Sequence, residues 1–507
     1  MTPCSISGLV RQHAMGRPTS TAIVEASTGR TVTWAELNRN VELVVAALIS
    51  DGVARGDRVA YWGHNCLELF ELNFAATRIG ATFVPLNWNL NDDEIAALIA
   101  GMGATRTFAD EKFHRRLPGA IRVGEQYAAW RDERSSGSNV DDACPDDVVV
   151  QPYTSGTTGV PKGVMLTNDN ISAFISASED LGYDESSAHL LSLPNYHIGG
   201  CVFPLLALAG GGKIVIVDRF TPASVLDTIE HHRITHINLV PTMINMVMDE
   251  QERHGRDVSS MRLIVYGAAP VTLNTVSRAQ RILGVDLLQE YASTECLAIT
   301  VLRPEEHTAD KLVSVGRPFP GVEVQIRDVA TGEPARPGQP GEIRVRSAQC
   351  AGGYWRRPDE TSRLLAEDGF RRTGDLGTLD HEGFLRLTGR LKDMIVTGGE
   401  NIYPAEVEAV LGRHPDIEDV AVVGVADERW GEVVTAYVVP RDGSALDVDA
   451  VLQWSHERLS GYRRPRIVRI LEKLPRNATG KVERHVLRAT PDIPIAHEPQ
   501  AASGTAS

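Results

Sequence analysis

From Thr33 to about Arg390, short apolar runs alternate with amphipathic stretches, and a chain patterned this way can bury its strands only between layers of helices. Residues 33–50 (TWAELNRNVELVVAALIS) space their apolar side chains as a helix does. Asp57 to Trp62 reads as a strand, a helix follows through Arg78, and ATFVPLN reads as the next strand. The pattern predicts parallel α/β layers. Residues 131–147 are polar and turn-rich, and predict a surface connection ahead of a strand from Val148 to Tyr153. Residues 330–347 (ATGEPARPGQPGEIRVRS) read as turn and then strand, as in a small β-rich part. After Arg390 the alternation restarts: PAEVEAVLGRHP is helical, EDVAVVGVAD and TAYVVP are strands, DVDAVLQWSHERLSGY is helical, and RIVRILEKLP is a further strand. About 100 residues with their own core predict a separate α+β domain. The tail after Arg488 has no periodicity and predicts disorder.

Composition narrows the function classes. The chain has 507 residues, enough for roughly three domain-sized units at about 150 residues each. Its 42% hydrophobic and 23% charged residues exclude a disordered, collagen-like or small stapled chain. With 51 basic against 66 acidic residues the net charge is −15, which argues against nonspecific nucleic-acid binding but permits an anionic substrate at a local basic site. No apolar run approaches the roughly 18 residues of a membrane span, and the start MTPCSISGLVRQHAMGRP lacks a secretory pattern. The cysteines Cys4, Cys66, Cys144, Cys201, Cys296 and Cys350 are scattered without CxxC or zinc spacing. Reduced thiols in a cytoplasmic protein are the expectation.

Four segments carry chemistry. In Thr154-Ser155-Gly156-Thr157-Thr158-Gly159-Val160-Pro161-Lys162-Gly163, which follows VVVQPY and precedes a helix-like stretch, glycines let the backbone approach an anion, hydroxyls donate and Lys162 adds charge. A phosphate suits it, although Pro161 stands where a Walker A loop needs its second glycine. Gln289-Glu290-Tyr291-Ala292-Ser293-Thr294-Glu295 follows a strand; Thr294 could donate to a phosphate, and Glu295 is a hard oxygen ligand suited to Mg²⁺. Thr373-Gly374-Asp375-Leu376-Gly377 reads as a tight turn whose Asp could accept both ribose hydroxyls, and Arg390 follows in LTGRLKD. Pro475-Arg476-Asn477-Ala478-Thr479-Gly480-Lys481 offers a lysine on an exposed turn. Alone, each of the last three is an ordinary loop.

In order and wording the four segments resemble the adenylate-forming superfamily of acyl-CoA and aryl-CoA synthetases, luciferases and peptide-synthetase adenylation domains, from about residue 10 to about 488. GRLKDMIVTGGENIYPAEVE and PRNATGK look most like CoA ligases of fatty or aryl acids. The resemblance implies an α/β and α+β fold. A large N-terminal domain of layered sheets with helices and a small barrel-like part would occupy 1–391, and a small mobile C-terminal domain 392–490, before a disordered 491–507. It implies ATP, Mg²⁺ and CoA as cofactor and co-substrates. By motif position, Thr154, Ser155, Gly156, Thr157, Thr158, Gly159 and Lys162 would bind the ATP phosphates. Ala268, Gln289, Glu290 and Tyr291 would surround the adenine and the acyl carboxylate. Thr294 would contact the α-phosphate, and Glu295 with Thr154 would bind magnesium. Asp375 and Arg390 would hold the ribose, Lys392 would be the hinge, and Lys481 would be the catalytic lysine of the first step. His197, Tyr266, Gly267 and Ala292 would border the acyl pocket, and Gly398 and Gly399 the pantetheine tunnel. Many relatives carry Gly where this chain has Glu290 and Ala292. Extra bulk at Ala292 could shorten the acyl pocket, and Glu290 could alter the nucleotide edge.

The implied reaction has two steps, adenylation of a carboxylate and transfer of its acyl group to a thiol. The stretch YHIGGCVFPLLALAG holds no Arg or Lys, which favours an uncharged aliphatic or aromatic tail. Arg463, Arg464 and Arg466 could meet the CoA 3′-phosphate or simply be solvated, and His231, His232 and His236 lack a metal-ligand frame. A separate carrier protein as acceptor, a silent nucleotide binder, and a homodimer stay open. The sequence predicts that Lys481→Ala lowers adenylation by about 10²–10³ while sparing thioester formation from supplied acyl-AMP. Equal loss in both half-reactions, measured separately, would refute that division.

Overall fold

The computed structural model describes residues 6–133, 140, 143–154, 161–398, 400–476 and 482–489. They fall into two compact units, the first drawn from 1–325, 344–373 and 380–385, the second from 326–343, 374–379 and 386–507.

The first unit is built on two sheets. The nine-stranded sheet runs in the order Arg317–Pro318, Leu297–Leu302, Asp286–Ser293, Leu263–Gly267, His236–Leu239, Ala188–Leu191, Lys213–Ile216, Thr21–Glu25, Thr31–Thr33. Its six strands from Asp286–Ser293 to Thr21–Glu25 are parallel, and antiparallel strands close both edges. The six-stranded sheet runs Leu166–Thr167, Val148–Val150, Thr82–Leu86, Arg58–Trp62, Ala104–Ala109, Ile121–Arg122. These are the layers that the alternation predicts. The helix Trp34–Ser50 starts where the sequence places it, because Thr33 and Glu36 form a reciprocal capping box. Its inner stripe, including Leu37, Val41, Val44 and Leu48, is buried. The helix Leu67–Arg78 is buried on every side, so its polar residues need partners. Glu71 accepts from Asn40 (2.7 Å) and the Tyr127 hydroxyl (2.8 Å), with Arg131 at 3.3 Å. Helices Pro222–His232, Pro241–Arg253 and Leu273–Leu283 cover one face of the large sheet, and Leu190, Ile237, Ile264, Tyr266 and Leu287 meet them in one apolar cluster.

The second unit restarts as predicted. Helix Pro404–Leu411, strands Ile417–Asp427 and Gly431–Pro440, helix Val448–Arg458 and strand Ile467–Ile470 follow one another, and Val407, Leu411, Val422, Val434, Val451 and Val468 share a core. The strand Gly341–Arg346 falls where the β-rich stretch was expected.

Three local expectations change. The strand expected from Val148 to Tyr153 divides at Gln151-Pro152: Val148–Val150 stays in the six-stranded sheet, and Tyr153–Thr154 pairs instead with Lys162–Gly163. Proline has no N–H to give a ladder, so the chain can leave the sheet there. Thr373–Gly377 is not a tight turn but part of the long strand Arg371–Leu379, its one departure being Gly374 at φ +69°. Gln289 to Ser293 belong to the strand Asp286–Ser293 rather than to a loop after it. The five described cysteines form no disulfide, and no described helix is long and apolar enough to cross a membrane.

Candidate active site

The first motif closes on itself. Thr154 pairs with Lys162 and Tyr153 with Gly163, so the segment between leaves and returns through one antiparallel pair. Ser155, Gly156, Thr157, Thr158 and Gly159 lie outside the described residues. Gly163 has no room for a side chain: a Cβ would stand 2.7 Å from Gln151 Nε2 and 2.9 Å from Tyr153 Cζ. The helix expected directly after the motif begins only at Asn168, after the strand Leu166–Thr167.

Thr294 and Glu295 sit at the tip of the hairpin joining Asp286–Ser293 to Leu297–Leu302. The hairpin is closed by Ser293 against Leu297, with the Cys296 N–H donating to the Ser293 hydroxyl at 3.1 Å. Leu297 has φ +52° although it is fully buried, and Ala268, at the end of the neighbouring strand, has φ +68°. Left-handed backbone at residues with a Cβ costs about 1–2 kcal/mol each. Such strain clusters where the backbone must be aimed.

Tyr354 joins the two motifs, and the sequence reading passed over it. Its hydroxyl donates to Glu295 Oε1 at 2.8 Å, and Lys162 Nζ lies 5.2 Å from its ring centroid. The backbone around it is stitched to both partners. The Trp355 N–H donates to Gly163 O (2.8 Å), the Met165 N–H to Gly353 O (3.0 Å), and the Ala351 N–H to Glu295 O (2.7 Å). Burial and the adjacent Glu295 charge push the Tyr354 phenol well up, so it remains a donor. Among the described residues its hydroxyl is the hydrogen-bond partner of the Glu295 carboxylate. A carboxylate is a hard oxygen donor, and with Lys162 at the ring of the same Tyr354 the pair fits Mg²⁺ with phosphate. The described residues hold no cluster of three or more metal-ligating side chains.

The other residues of this unit divide by face. Tyr266 and Gln289 point into the helix-covered core: the Tyr266 hydroxyl is 3.2 Å from Gln289 Oε1 and 3.1 Å from His307 Nε2. Glu290 and Ala292 point to the opposite face, where Gly267 pairs with Glu290. Tyr291 is buried. His197 caps the short helix Ile198–Cys201 and is exposed, its ring against Tyr196. His236 is buried and stacked on Tyr183, while the His231 Nδ1–H donates to Asp227 O; neither belongs to a metal frame.

In the second unit Arg390 Nε lies 3.0 Å from Asp375 Oδ1, so the two ribose candidates face each other. Lys392 is exposed in the single turn Leu391–Asp393, which Arg488 holds through Asp393 at 3.1 Å. Gly398 starts the two-residue loop of the hairpin Ile395–Thr397 and Glu400–Ile402. It has φ +56°, and its N–H donates to Trp430 O at 2.9 Å. A Cβ there would sit 3.0 Å from the Trp430 ring, which favours glycine twice over. Arg466 stacks on that same ring (4.7 Å), whereas Arg463 pairs with Glu406 and Arg464 with backbone carbonyls. Gly399 and Lys481 lie outside the described residues.

The chain is similar to known proteins along nearly its whole length. The family model "AMP-binding enzyme" matches residues 10–355, and "AMP-binding enzyme C-terminal domain" matches 406–481. A feruloyl-CoA synthase of Amycolatopsis is 37% identical over 481 residues, covering 93% of this chain and 96% of its own. An indoleacetate–CoA ligase of Aromatoleum aromaticum is 36% identical over 501 residues, covering 95% and 97%. The crystal structure of ATP-bound MatB from Rhodopseudomonas palustris superposes with a TM-score of 0.85 at 30% identity, over 95% of this chain and 98% of that one.

Losing a hydrogen bond to a charged group costs at least about 1.5 kcal/mol. Tyr354→Phe, which keeps the ring under Lys162, is therefore expected to weaken binding of ATP with Mg²⁺ about tenfold by calorimetry. An unchanged affinity would show that the contact only packs.

Proposed function

The chain belongs to the AMP-binding enzyme family and is an AMP-forming acid–thiol ligase, and from that premise we propose that it joins an uncharged aromatic or aliphatic acid to CoA through an acyl-adenylate. One observation carries the reading: Tyr354 ties the phosphate-loop strands to Glu295.

Each role follows from a charge problem. A carboxylate cannot accept a thiol directly, because its leaving group would be oxide. In the first half-reaction one carboxylate oxygen attacks the α-phosphorus of ATP, the bond to the bridging oxygen breaks, and pyrophosphate leaves with that electron pair. Both reactants are anions. Lys162, the N–H groups and hydroxyls from Thr154 to Gly159, Thr294 and Lys481 would offset the charge that builds on phosphorus. Glu295, with Thr154, would hold the Mg²⁺, which when bound supplies Lewis-acid neutralisation of the phosphates. Asp375 and Arg390 would fix the ribose, and Ala268 with Gln289 and Tyr291 the adenine edge and the acyl carboxylate. In the second half-reaction the CoA thiol loses its proton, sulfur attacks the mixed-anhydride carbonyl, and AMP leaves. Gly398 and Gly399 would border the pantetheine, since neither puts a side chain in its way.

The division into 1–391 and 392–490, with Lys392 as the hinge, is part of this proposal. Lys481 and Gly398–Gly399 would then serve different half-reactions. An aromatic tail is supported by the feruloyl and indoleacetate relatives and by the apolar run after His197, where Cys201, Val202, Phe203 and Leu205 are buried.

AMP release with ATP, Mg²⁺ and CoA, measured across acids graded in length and aromaticity, is expected to require both CoA and an uncharged acid, with arylalkanoic or cinnamic-type acids turned over fastest. A best substrate bearing a second carboxylate would contradict the tail assignment. AMP release on a carrier protein but not on CoA would contradict the thiol assignment.

A further inference from the structure

Glu290 is buried, 5% exposed, in the middle of the strand Asp286–Ser293, and no described side chain or backbone group satisfies its Oε1. Burying an acceptor without a donor is costly, so such a position calls for an explanation. Its surroundings show where it is directed. On one side of the ladder it pairs with Gly267, which has no side chain and could carry none, since a Cβ would stand 2.7 Å from Glu290 O. On the other side it pairs with Val301. Two residues along, on the same face, stands Ala292. The carboxyl thus rises between two positions of minimal bulk, Gly267 and Ala292, both of which border the proposed acyl site.

No described cation faces it. The titratable group that senses its charge is the buried Tyr183 hydroxyl, which His189 Nδ1 engages at 2.9 Å. Burial alone pushes the Glu290 carboxyl up to about 8, with no partner holding it down. Such a carboxyl is protonated at neutral pH, and its oxygen without a hydrogen is left to accept from a donor that a ligand brings.

Resting on the ligase reading above, we infer that Glu290 is a specificity residue: its unpartnered Oε1 accepts a hydrogen bond from a hydroxyl or N–H on the tail of the acid. The acid is then uncharged but not purely hydrocarbon. A site that hydrogen-bonds a substrate hydroxyl rejects the analogue lacking it far more strongly than an apolar pocket rejects a missing methylene, because the protein group is left unpaired.

The test uses the full-length protein and matched pairs of acids that differ by one hydroxyl, placed at graded positions along arylalkanoic and alkanoic tails. CoA-dependent AMP formation gives kcat/KM for each. At one position the wild type is expected to prefer the hydroxylated acid by about 10²-fold or more. Glu290→Leu is expected to reverse that preference, and Glu290→Gln, whose amide oxygen still accepts, to retain most of it. Turnover of unsubstituted acids as fast as their hydroxylated partners at every position, in the wild type alone, overturns the inference and leaves the ligase reading intact. No turnover with any acid overturns the ligase reading, and the inference with it.

Discussion

A single phenolic hydroxyl, that of Tyr354, ties the Glu295 hairpin to the Lys162 strand pair, and the candidate site depends on that tie. Glu295 stands on a hairpin tip and Lys162 on a two-residue strand, and neither element is long enough to fix its own side chain. The extended stretch around Tyr354 supplies the rigidity. It hydrogen-bonds to Gly163 and Met165 on one side and takes the Glu295 carbonyl on the other. Because the donor remains protonated, the contact holds the carboxylate without neutralising it. The same ring thus stands against one acidic and one basic side chain.

The strain nearby fits this demand for aim. Ala268 and Leu297 both hold left-handed backbone, one at the end of a central strand and one just past the hairpin tip. Together with the unsatisfied Glu290 they concentrate local costs along three adjacent strands of the large sheet. The rest of that sheet carries the compensating burial, where Ile237, Ile264 and Leu287 pack under three helices. Local rules are broken here and kept elsewhere, as expected of a functional face on a stable scaffold.

The sequence made the scaffold legible because its determinants are local. The helix at Trp34 follows from Thr33 and Glu36, and the second unit from an alternation that restarts after Arg390. The wording of the four motifs carried the family, which the domain matches bear out. What stayed hidden depends on pairing between distant segments. The contacts of Tyr354 exist only once residues 353–355 meet 163–165 and 295. Thr373–Gly377 looked like a turn because glycines dominate it, yet sheet pairing extends it. Glu290 was noticed as an oddity at the nucleotide edge; that it is buried and unpartnered is a fact of the fold. Gly-Gly-Tyr-Trp at 352–355, an aromatic pair after two glycines, is the signal that could have drawn attention to Tyr354.

The central claim is that this site forms a free acyl-adenylate before any thiol is needed. It is tested most directly by exchange of labelled pyrophosphate into ATP with Mg²⁺ and acid, in the complete absence of CoA. The account predicts exchange that depends on the acid and disappears in Glu295→Ala. Exchange that appears only when CoA is added, or that proceeds equally without any acid, would contradict it.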